Sequence, residues 1–228
     1  MRPTRMLQQS TTRRRILIVD DHPMTRYGVS QLILHQPDLQ VQAEVASAQQ
    51  ALTMLALSPI DLVLTDMTMP GKSGLEFIKE LQALCPTVPV LVLSMHEENI
   101  FAERALRAGA RGYIMKSEGG EKLLVAIRCV LQGEFYVSHH VSTNILNSLA
   151  KVRTHRESSE LSALTDREFE VFNLLSQALP THEISQRLCI SDKTVETHRL
   201  HIKEKLKLKS GAEVRKYAAR WGVTQNMV

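Results

Sequence analysis

Apolar residues in the first 133 positions gather into five short blocks, each followed by a stretch of helical period. The blocks are Ile16–Asp20, Val41–Ala46, Leu62–Thr65, Val90–Ser94 and Gly112–Met115. They are rich in Val, Ile and Leu and run continuously rather than alternating, the pattern of strands covered on both faces. Amphipathic stretches Met24–His35, Ala48–Leu57, Gly74–Leu84, Glu97–Ala108 and Gly120–Leu131 follow in turn. Five β-α units in this order predict a doubly wound α/β fold with a parallel sheet and right-handed crossovers. Such sheets bind ligands at the carboxyl ends of their strands.

The pattern then changes. From 134 to 160 the apolar period weakens; Val141–Leu149 has the length of a short helix, but the segment reads mainly as a linker. Beyond it every element is helical. Thr165 with Glu168 forms a capping box ahead of Phe169, Val171, Phe172, Leu174 and Leu175. A short helix from Thr181 carries Ile184 and Leu188. Ser191 or Asp192 caps a longer one with Val195, Ile202 and Leu206 on one face, and Ala212–Trp221 forms a fourth. The fold expected is therefore an α/β domain followed by an all-α domain.

Charge divides along the same boundary. The 228 residues carry a net charge of +4. Residues 1–15 hold five arginines and no acid, residues 16–133 sum to −4, and residues 161–228 to +3. An acidic module thus precedes a basic one, an asymmetry that points weakly to a nucleic-acid-binding half. No run approaches the roughly 18 apolar residues of a membrane-spanning helix, and the basic N-terminus lacks the apolar core of a signal peptide. Cys85, Cys129 and Cys189 are scattered among apolar neighbours and read as reduced, buried thiols of a cytoplasmic protein.

Chemistry concentrates at the predicted strand ends. The first strand ends in Asp20 and Asp21, the third in Asp66, the fourth in Ser94 and the fifth in Lys116. A single strand-end acid is ordinarily a helix cap or a solvated turn residue. Three carboxylates at one sheet edge instead repel one another and raise their pKa values, a conflict that a hard divalent cation such as Mg²⁺ removes. With a hydroxyl and an ammonium added, the set suits a phosphoryl group, Asp66 attacking in line while Mg²⁺ and Lys116 neutralise its oxygens.

The runs I-L-I-V-D-D-H-P, D-L-V-L-T-D-M-T-M-P-G-K-S-G, L-V-L-S and G-A-R-G-Y-I-M-K make the module resemble the receiver domain of two-component response regulators. The resemblance implies a flavodoxin-like strand order 2-1-3-4-5 and phosphorylation of Asp66 by a sensor histidine kinase. It implies Mg²⁺ held by Asp21, Asp66 and the backbone carbonyl of Thr68, with Asp20 acting through water. It also implies that Ser94 moves toward the phosphoryl group while Tyr113 rotates inward, stabilising a homodimer. Thr68 and His96 stand where the family tunes autodephosphorylation, and Tyr27 and Gln31 either face a kinase or are simply solvated.

In the basic half, Ile184 to Lys209 spells helix, turn at Cys189–Ser191, and longer helix, an arrangement that places its second helix in the major groove. At 100° per residue Val195, Ile202 and Leu206 point inward. Lys193, Thr197, Leu200 and Glu204 then face outward, with Glu196 and Lys203 flanking, while Lys193, Arg199, Lys203 and Lys205 supply charge for phosphates. An amphipathic helix with a solvated charged face has the same spacing. The stretch L-T-D-R-E-F-E-V-F through T-V-E-T-H-R-L-H-I-K-E-K-L resembles the LuxR-type helix-turn-helix, and the two halves together resemble the NarL/FixJ family of transcriptional regulators. That resemblance places base contacts at Glu196, Thr197 and Leu200, with Lys193, Thr194, Arg199 and Lys203 around them. It places dimer contacts on Glu213–Trp221, Val214 and Tyr217 among them. Glu196 is suited to a cytosine amino group and Leu200 to a thymine methyl. His198 and His201, three apart, are too few for a metal site, and His198 reads as a partly packed helix residue.

The whole reads as a basic flexible tail (1–13), a receiver (14–133), a linker (134–160) and a helix-turn-helix domain (161–228). The expected function is phosphorylation-controlled binding of promoter DNA, with RNA polymerase a further partner, no membrane association and no enzyme activity. One alternative is a LuxR-type regulator with an input other than phosphorylation. Another is an aspartate-nucleophile phosphohydrolase, but that chemistry wants a second acid two residues after the nucleophile, where Thr68 stands.

Overall fold

In the computed structural model, which describes residues 13–69, 72–95, 98–149, 161 and 163–225, the chain begins with five β-α units. The strands are β1 (Arg14–Val19), β2 (Leu39–Val45), β3 (Leu62–Thr65), β4 (Val90–Ser94) and β5 (Gly112–Met115). The helices are α1 (Pro23–Leu34), α2 (Ala48–Leu57), α3 (Gly74–Leu84), α4 (Glu98–Ala108) and α5 (Gly120–Leu131). All strand pairs are parallel, in the order β2-β1-β3-β4-β5. Successive residues of each strand feed opposite faces. Ile16, Ile18, Leu62, Leu64 and Ile114 meet Val29, Ile33, Leu123 and Ile127 on one side. On the other side Leu17, Val19, Val63 and Val92 meet Ala51, Phe77, Leu81 and Phe101.

One strand departs from the expected burial. From Val41 to Val45 β2 alternates half-buried and exposed positions, because the strand order leaves it at an edge with one face partly open. Its Gln42 and Glu44, set between Val41, Ala43 and Val45, already carry that alternation.

The segment read as a linker is structured up to Leu149. Tyr136 pairs alongside β5: the Tyr113 N–H donates to the Tyr136 carbonyl at 2.8 Å, and the Tyr136 N–H to the Arg111 carbonyl at 3.0 Å. Ser138 N–H donates to the buried Glu98 carboxylate at 2.6 Å, and α6 (His139–Leu149) then packs on α4. Long-range pairing and one buried acid organise what local composition does not.

The remaining helices are α7 (Asp166–Ser176), α8 (Thr181–Leu188), α9 (Asp192–Lys205) and α10 (Gly211–Gln225). The capping box forms as expected, Thr165 Oγ1 accepting from Glu168 N and Glu168 Oε2 from Thr165 N. Ser191 is the N-cap of α9. Val171, Val195, Ile202 and Val214 are fully buried, and Phe172, Tyr217 and Trp221 close the core with ring centroids 5.3–5.9 Å from Phe172. Val214, expected at a dimer surface, is therefore a core residue of its own domain, and Tyr217 is half-buried on Phe172.

The cysteines also differ from expectation. Cys85 and Cys129 are half-buried and Cys189 is exposed. Cys189 takes the left-handed conformation (φ 50°, ψ 45°) that ends α8 and turns the chain into α9, so its neighbours Leu188 and Ile190 pack while its own side chain faces out. Among the described residues no helix is long and apolar enough to cross a membrane.

Candidate functional site

Register builds the first site. Val19 lies opposite Thr65, so Asp20 and Asp66 leave neighbouring strands side by side, and the Asp66 N–H closes the ladder on the Val19 carbonyl at 2.8 Å. The loop after Asp66 is pinned by Gly74. A Cβ there would stand 2.4 Å from the Met67 carbonyl oxygen, so only glycine admits the Gly74 N–H bond to that carbonyl. Met67 and Thr68 N–H groups in turn hold Asp66 Oδ1 at 2.6 and 3.3 Å.

Lys116, one residue past β5, sets its ammonium 2.6 Å from Asp66 Oδ2 and 2.7 Å from Asp20 Oδ2. Burial pushes the Asp66 carboxyl above the usual carboxylate range despite the attraction of Lys116, and nearby Asp20 adds to the rise. Burial pulls the other way on Lys116, yet the charges of Asp66 and Asp20 outweigh it and its ammonium is held above its ordinary value. Asp20, Asp21, His22 and Asp66 offer ligand atoms within 4.8 Å of one another. Asp21 Oδ1 is buried without a hydrogen-bond donor, His22 Nδ1 lying 2.9 Å away but outside hydrogen-bonding geometry. An orphaned carboxylate oxygen beside two more acids, with oxygen donors dominant, fits a hard cation such as Mg²⁺.

The other expected residues also converge. Ser94 and Tyr113 are fully buried and share a side-chain hydrogen bond, and burial pushes the Tyr113 phenol well up. The phenol already points inward rather than awaiting rotation. His22 and Arg26, which donates to the Asp20 carbonyl at 2.5 Å, join the site unanticipated; the signal for His22 was adjacency to the acid pair, while Arg26 lies one helical turn further on in α1. Tyr27 is exposed and Gln31 half-buried on α1. His96, the tail residues 1–12 and the stretch 150–160 lie outside the described residues.

On α9, Lys193, Glu196, Thr197, Leu200 and Glu204 are exposed on one side while Val195 and Ile202 are buried on the other. Not every expected contact is presented. Thr194 bonds to the capping Ser191 through both its hydroxyl and its N–H. Arg199 turns inward, its side chain 13% exposed and tied to Glu196, and Lys205 pairs with Glu168 at 2.6 Å. Burial, helped by the charge of Arg167, lowers the pKa of the half-buried His198.

The two domains meet in a junction that the sequence did not indicate. Arg104 of α4 stacks 3.9 Å from the Phe169 ring centroid and donates to the carbonyls of Leu161 (2.6 Å) and Leu164 (3.2 Å) and to Asp166. Phe101 meets Phe169 edge-on at 5.3 Å, Lys79 pairs with Asp166 at 2.6 Å, and Ser73 donates to Glu170 at 2.5 Å. Beside these contacts a cavity of about 430 Å³ is lined by Asp21, His22 and Thr68 on one wall and by Arg167, Asn173, Gln186 and Arg187 on the other. The mouth of the acidic site thus opens under the C-terminal helices.

Comparison with known proteins agrees with both halves. Residues 16–128 match the family described as response regulator receiver domain, and residues 162–218 the family described as bacterial regulatory proteins, luxR family. The oxygen regulatory protein NreC of Staphylococcus aureus (strain bovine RF122 / ET3-1) is 36% identical over 210 residues, covering 90% of this chain and 97% of that protein. A crystal structure of a LuxR-family two-component response regulator from Aurantimonas sp. SI85-9A1 shares 33% identity and a TM-score of 0.56, covering 61% of this chain and all of that one. RcsB from Salmonella enterica serovar Typhimurium, solved bound to the promoter P1flhDC with the phosphomimetic BeF3-, matches in fold at 21% identity with a TM-score of 0.62, covering 92% and 100%.

Proposed function

Since the chain belongs to the NarL/FixJ family of two-component response regulators, a receiver joined to a LuxR-type helix-turn-helix, we propose that Asp66 takes the phosphoryl group of a kinase phosphohistidine and that α9 reads promoter DNA. The protein is accordingly a transcription regulator rather than an enzyme. The observation that carries the assignment of Asp66 is its position: a buried carboxylate with Lys116 on one oxygen and two backbone N–H groups on the other.

Asp66 attacks phosphorus in line as the phosphorus–imidazole bond of the donor breaks, and the freed imidazole takes up a proton. Lys116, released in part from Asp20, holds an equatorial phosphoryl oxygen. The N–H groups of Met67 and Thr68 keep the carboxylate oriented. Asp20 and Asp21, the Asp66 carboxylate and the Thr68 carbonyl form the cation cradle. Bound there, Mg²⁺ supplies charge neutralisation at the phosphoryl oxygens. Ser94 is placed to turn toward the phosphoryl group, which unties the hydroxyl from Tyr113 and loosens the β4–β5 side where α4 packs.

On this reading residues 1–13 are a tail, 14–133 the receiver, 134–160 the connection and 161–228 the DNA-binding domain. The protein works in the cytoplasm, receives phosphate from a sensor kinase, pairs as a homodimer when phosphorylated, and acts at promoters within reach of RNA polymerase. Lys193, Thr197, Leu200 and Lys203 meet the duplex, Thr194 serving the cap. The test is incubation with a small acyl phosphate and Mg²⁺: Asp66→Asn abolishes labelling, and retained labelling at another residue overturns the assignment.

A further inference from the structure

Spacing along α7 sets one wall of the cavity between the domains. Arg167, Glu170, Asn173 and Leu174 recur at intervals of three and four, so they share one helix face, and all four line the cavity. Two of them neutralise each other. Arg167 bonds to one Glu170 oxygen at 2.8 Å and to the Leu188 carbonyl at 2.6 Å, while Ser73 donates to the other Glu170 oxygen. Asn173 has no such outlet: it is 5% exposed, and its carboxamide makes no hydrogen bond among the described residues. A buried amide with neither donors nor acceptor in use costs free energy unless something in the cavity satisfies it. Arg187, on α8, is the complementary group. It is exposed, lines the same cavity, and enters no hydrogen bond or ion pair among the described residues. Apolar lining comes from both domains, Met67 and Phe101 from the receiver and Leu174 and Leu188 from the helices above it. The volume of about 430 Å³ is that of a small-molecule site, which is typically apolar with a few placed polar groups.

We propose that this cavity binds a small organic monocarboxylate with an apolar body. The carboxylate pairs with the Arg187 guanidinium, whose planar fork matches it, and accepts from the Asn173 amide. The apolar body lies against Met67, Phe101, Leu174 and Leu188. A neutral ligand leaves the Arg187 cation without an acceptor, and further negative charge meets Asp21 on the opposite wall. Because the ligand touches both domains, it binds the docked arrangement and not the parted one, and so favours docking by mass action. The site does not depend on phosphoryl transfer to Asp66; it gives the same junction a second, chemical input.

Cysteine chemistry reads the occupancy. Cys189 is exposed and lines the cavity, whereas Cys85 and Cys129 are not part of its lining. The rate of Cys189 alkylation by N-ethylmaleimide is measured in the full-length protein with Mg²⁺ present, and Cys129 serves as the internal reference. Phenylbutyrate slows Cys189 alkylation saturably and leaves Cys129 unchanged. Phenylbutyramide, its neutral amide, requires about tenfold more, because a charged hydrogen bond becomes a neutral one. Inorganic phosphate, without an apolar body, gives no protection at the concentration where phenylbutyrate saturates. Arg187→Gln, a change at an exposed position, removes the difference between acid and amide. Asn173→Leu keeps the volume and deletes an unpaired buried amide, so it melts no lower than wild type while weakening both organic probes by about fivefold. Equal protection by acid and amide in the wild type overturns the carboxylate, and protection by phosphate alone overturns the apolar body. Phenylbutyrate protection unchanged in both variants places the ligand elsewhere and overturns the site. Absence of protection by every probe overturns it as well, and none of these results touches the assignment of Asp66.

Discussion

Replacing Arg104 with methionine tests the junction between the two domains. Methionine keeps an unbranched apolar stem against Phe169 but removes the guanidinium. The loss comprises donors to two backbone carbonyls and to Asp166, in a side chain only 16% exposed. Charged hydrogen bonds are worth about 1.5–3 kcal/mol each and the stacking on Phe169 about 0.5–1 kcal/mol. Against this, burial already disfavours the cation, lowering its pKa, and the freed carbonyls regain water when the domains part. The balance is a weakening of docking by about 2–4 kcal/mol, or about 30- to 900-fold in the docked-to-undocked ratio. Spin labels at the exposed positions Leu84 and Val223 read the distance between the domains directly. The wild type gives one narrow distribution and Arg104→Met a broad, longer one, with calorimetry resolving two unfolding transitions in place of one. Kinase-dependent labelling of Asp66 speeds up in the same variant, because the wall over the acidic mouth has moved. An unchanged distance distribution in Arg104→Met would show the latch to be energetically idle.

The acidic site gives a stability prediction with a definite sign. Burial raises the Asp66 pKa, so the folded chain holds that proton more tightly than the unfolded chain. The associated stability is full below the ordinary carboxylate value of 3.8 and is lost as pH rises through the raised one, which leaves ionised Asp66 a cost at pH 7. Asp66→Asn therefore melts higher than wild type at pH 7, and the two curves converge in acid; equal melting at pH 7 contradicts the reading. Mg²⁺ raises the wild-type midpoint by mass action, about 2.7 kcal/mol at a hundredfold excess over its dissociation constant. Asp21→Asn loses that shift, and a shift of wild-type size in the variant removes Asp21 from the cradle. Phe172→Ala costs the C-terminal domain about 3–5 kcal/mol. Far-UV circular dichroism then shows a low-temperature loss of helix, while acyl-phosphate labelling of Asp66 persists.

Much of the fold was legible because its signals are local. Val63 and Leu64 inside an unbroken apolar run require a covered strand, and Thr165 with Glu168 announces the start of α7. The acidic site was legible because strand ends in a doubly wound sheet converge whatever the intervening sequence. What escaped depends on partners distant in the chain. Tyr136 has no strand-like context until β5 stands beside it, and Glu98 becomes a buried acceptor only when Ser138 arrives. Arg104, Asp166 and Glu170 look like solvated helix charges, since nothing within a few residues of them reveals that α4 and α7 face each other. Arg199 misled for the same reason: its count among cations was right, but its bonds to Thr181 and Glu196 turn it inward.

The pairing of Tyr136 along β5 bears on how the receiver behaves once separated from the rest of the chain. β5 is the outermost strand on its side, and a bare parallel edge with unpaired N–H groups is a template for other chains. Here the polypeptide covers that edge itself as it leaves the sheet, Tyr136 taking the Tyr113 N–H and donating to Arg111. A fragment ending at Leu131 would retain all five strands and helices yet uncover this row. It self-associates through its sheet edge, where a fragment carried through Leu149 stays monomeric. The short stretch beyond α5 is thus a molecular hem, a covering for the outer edge of the sheet.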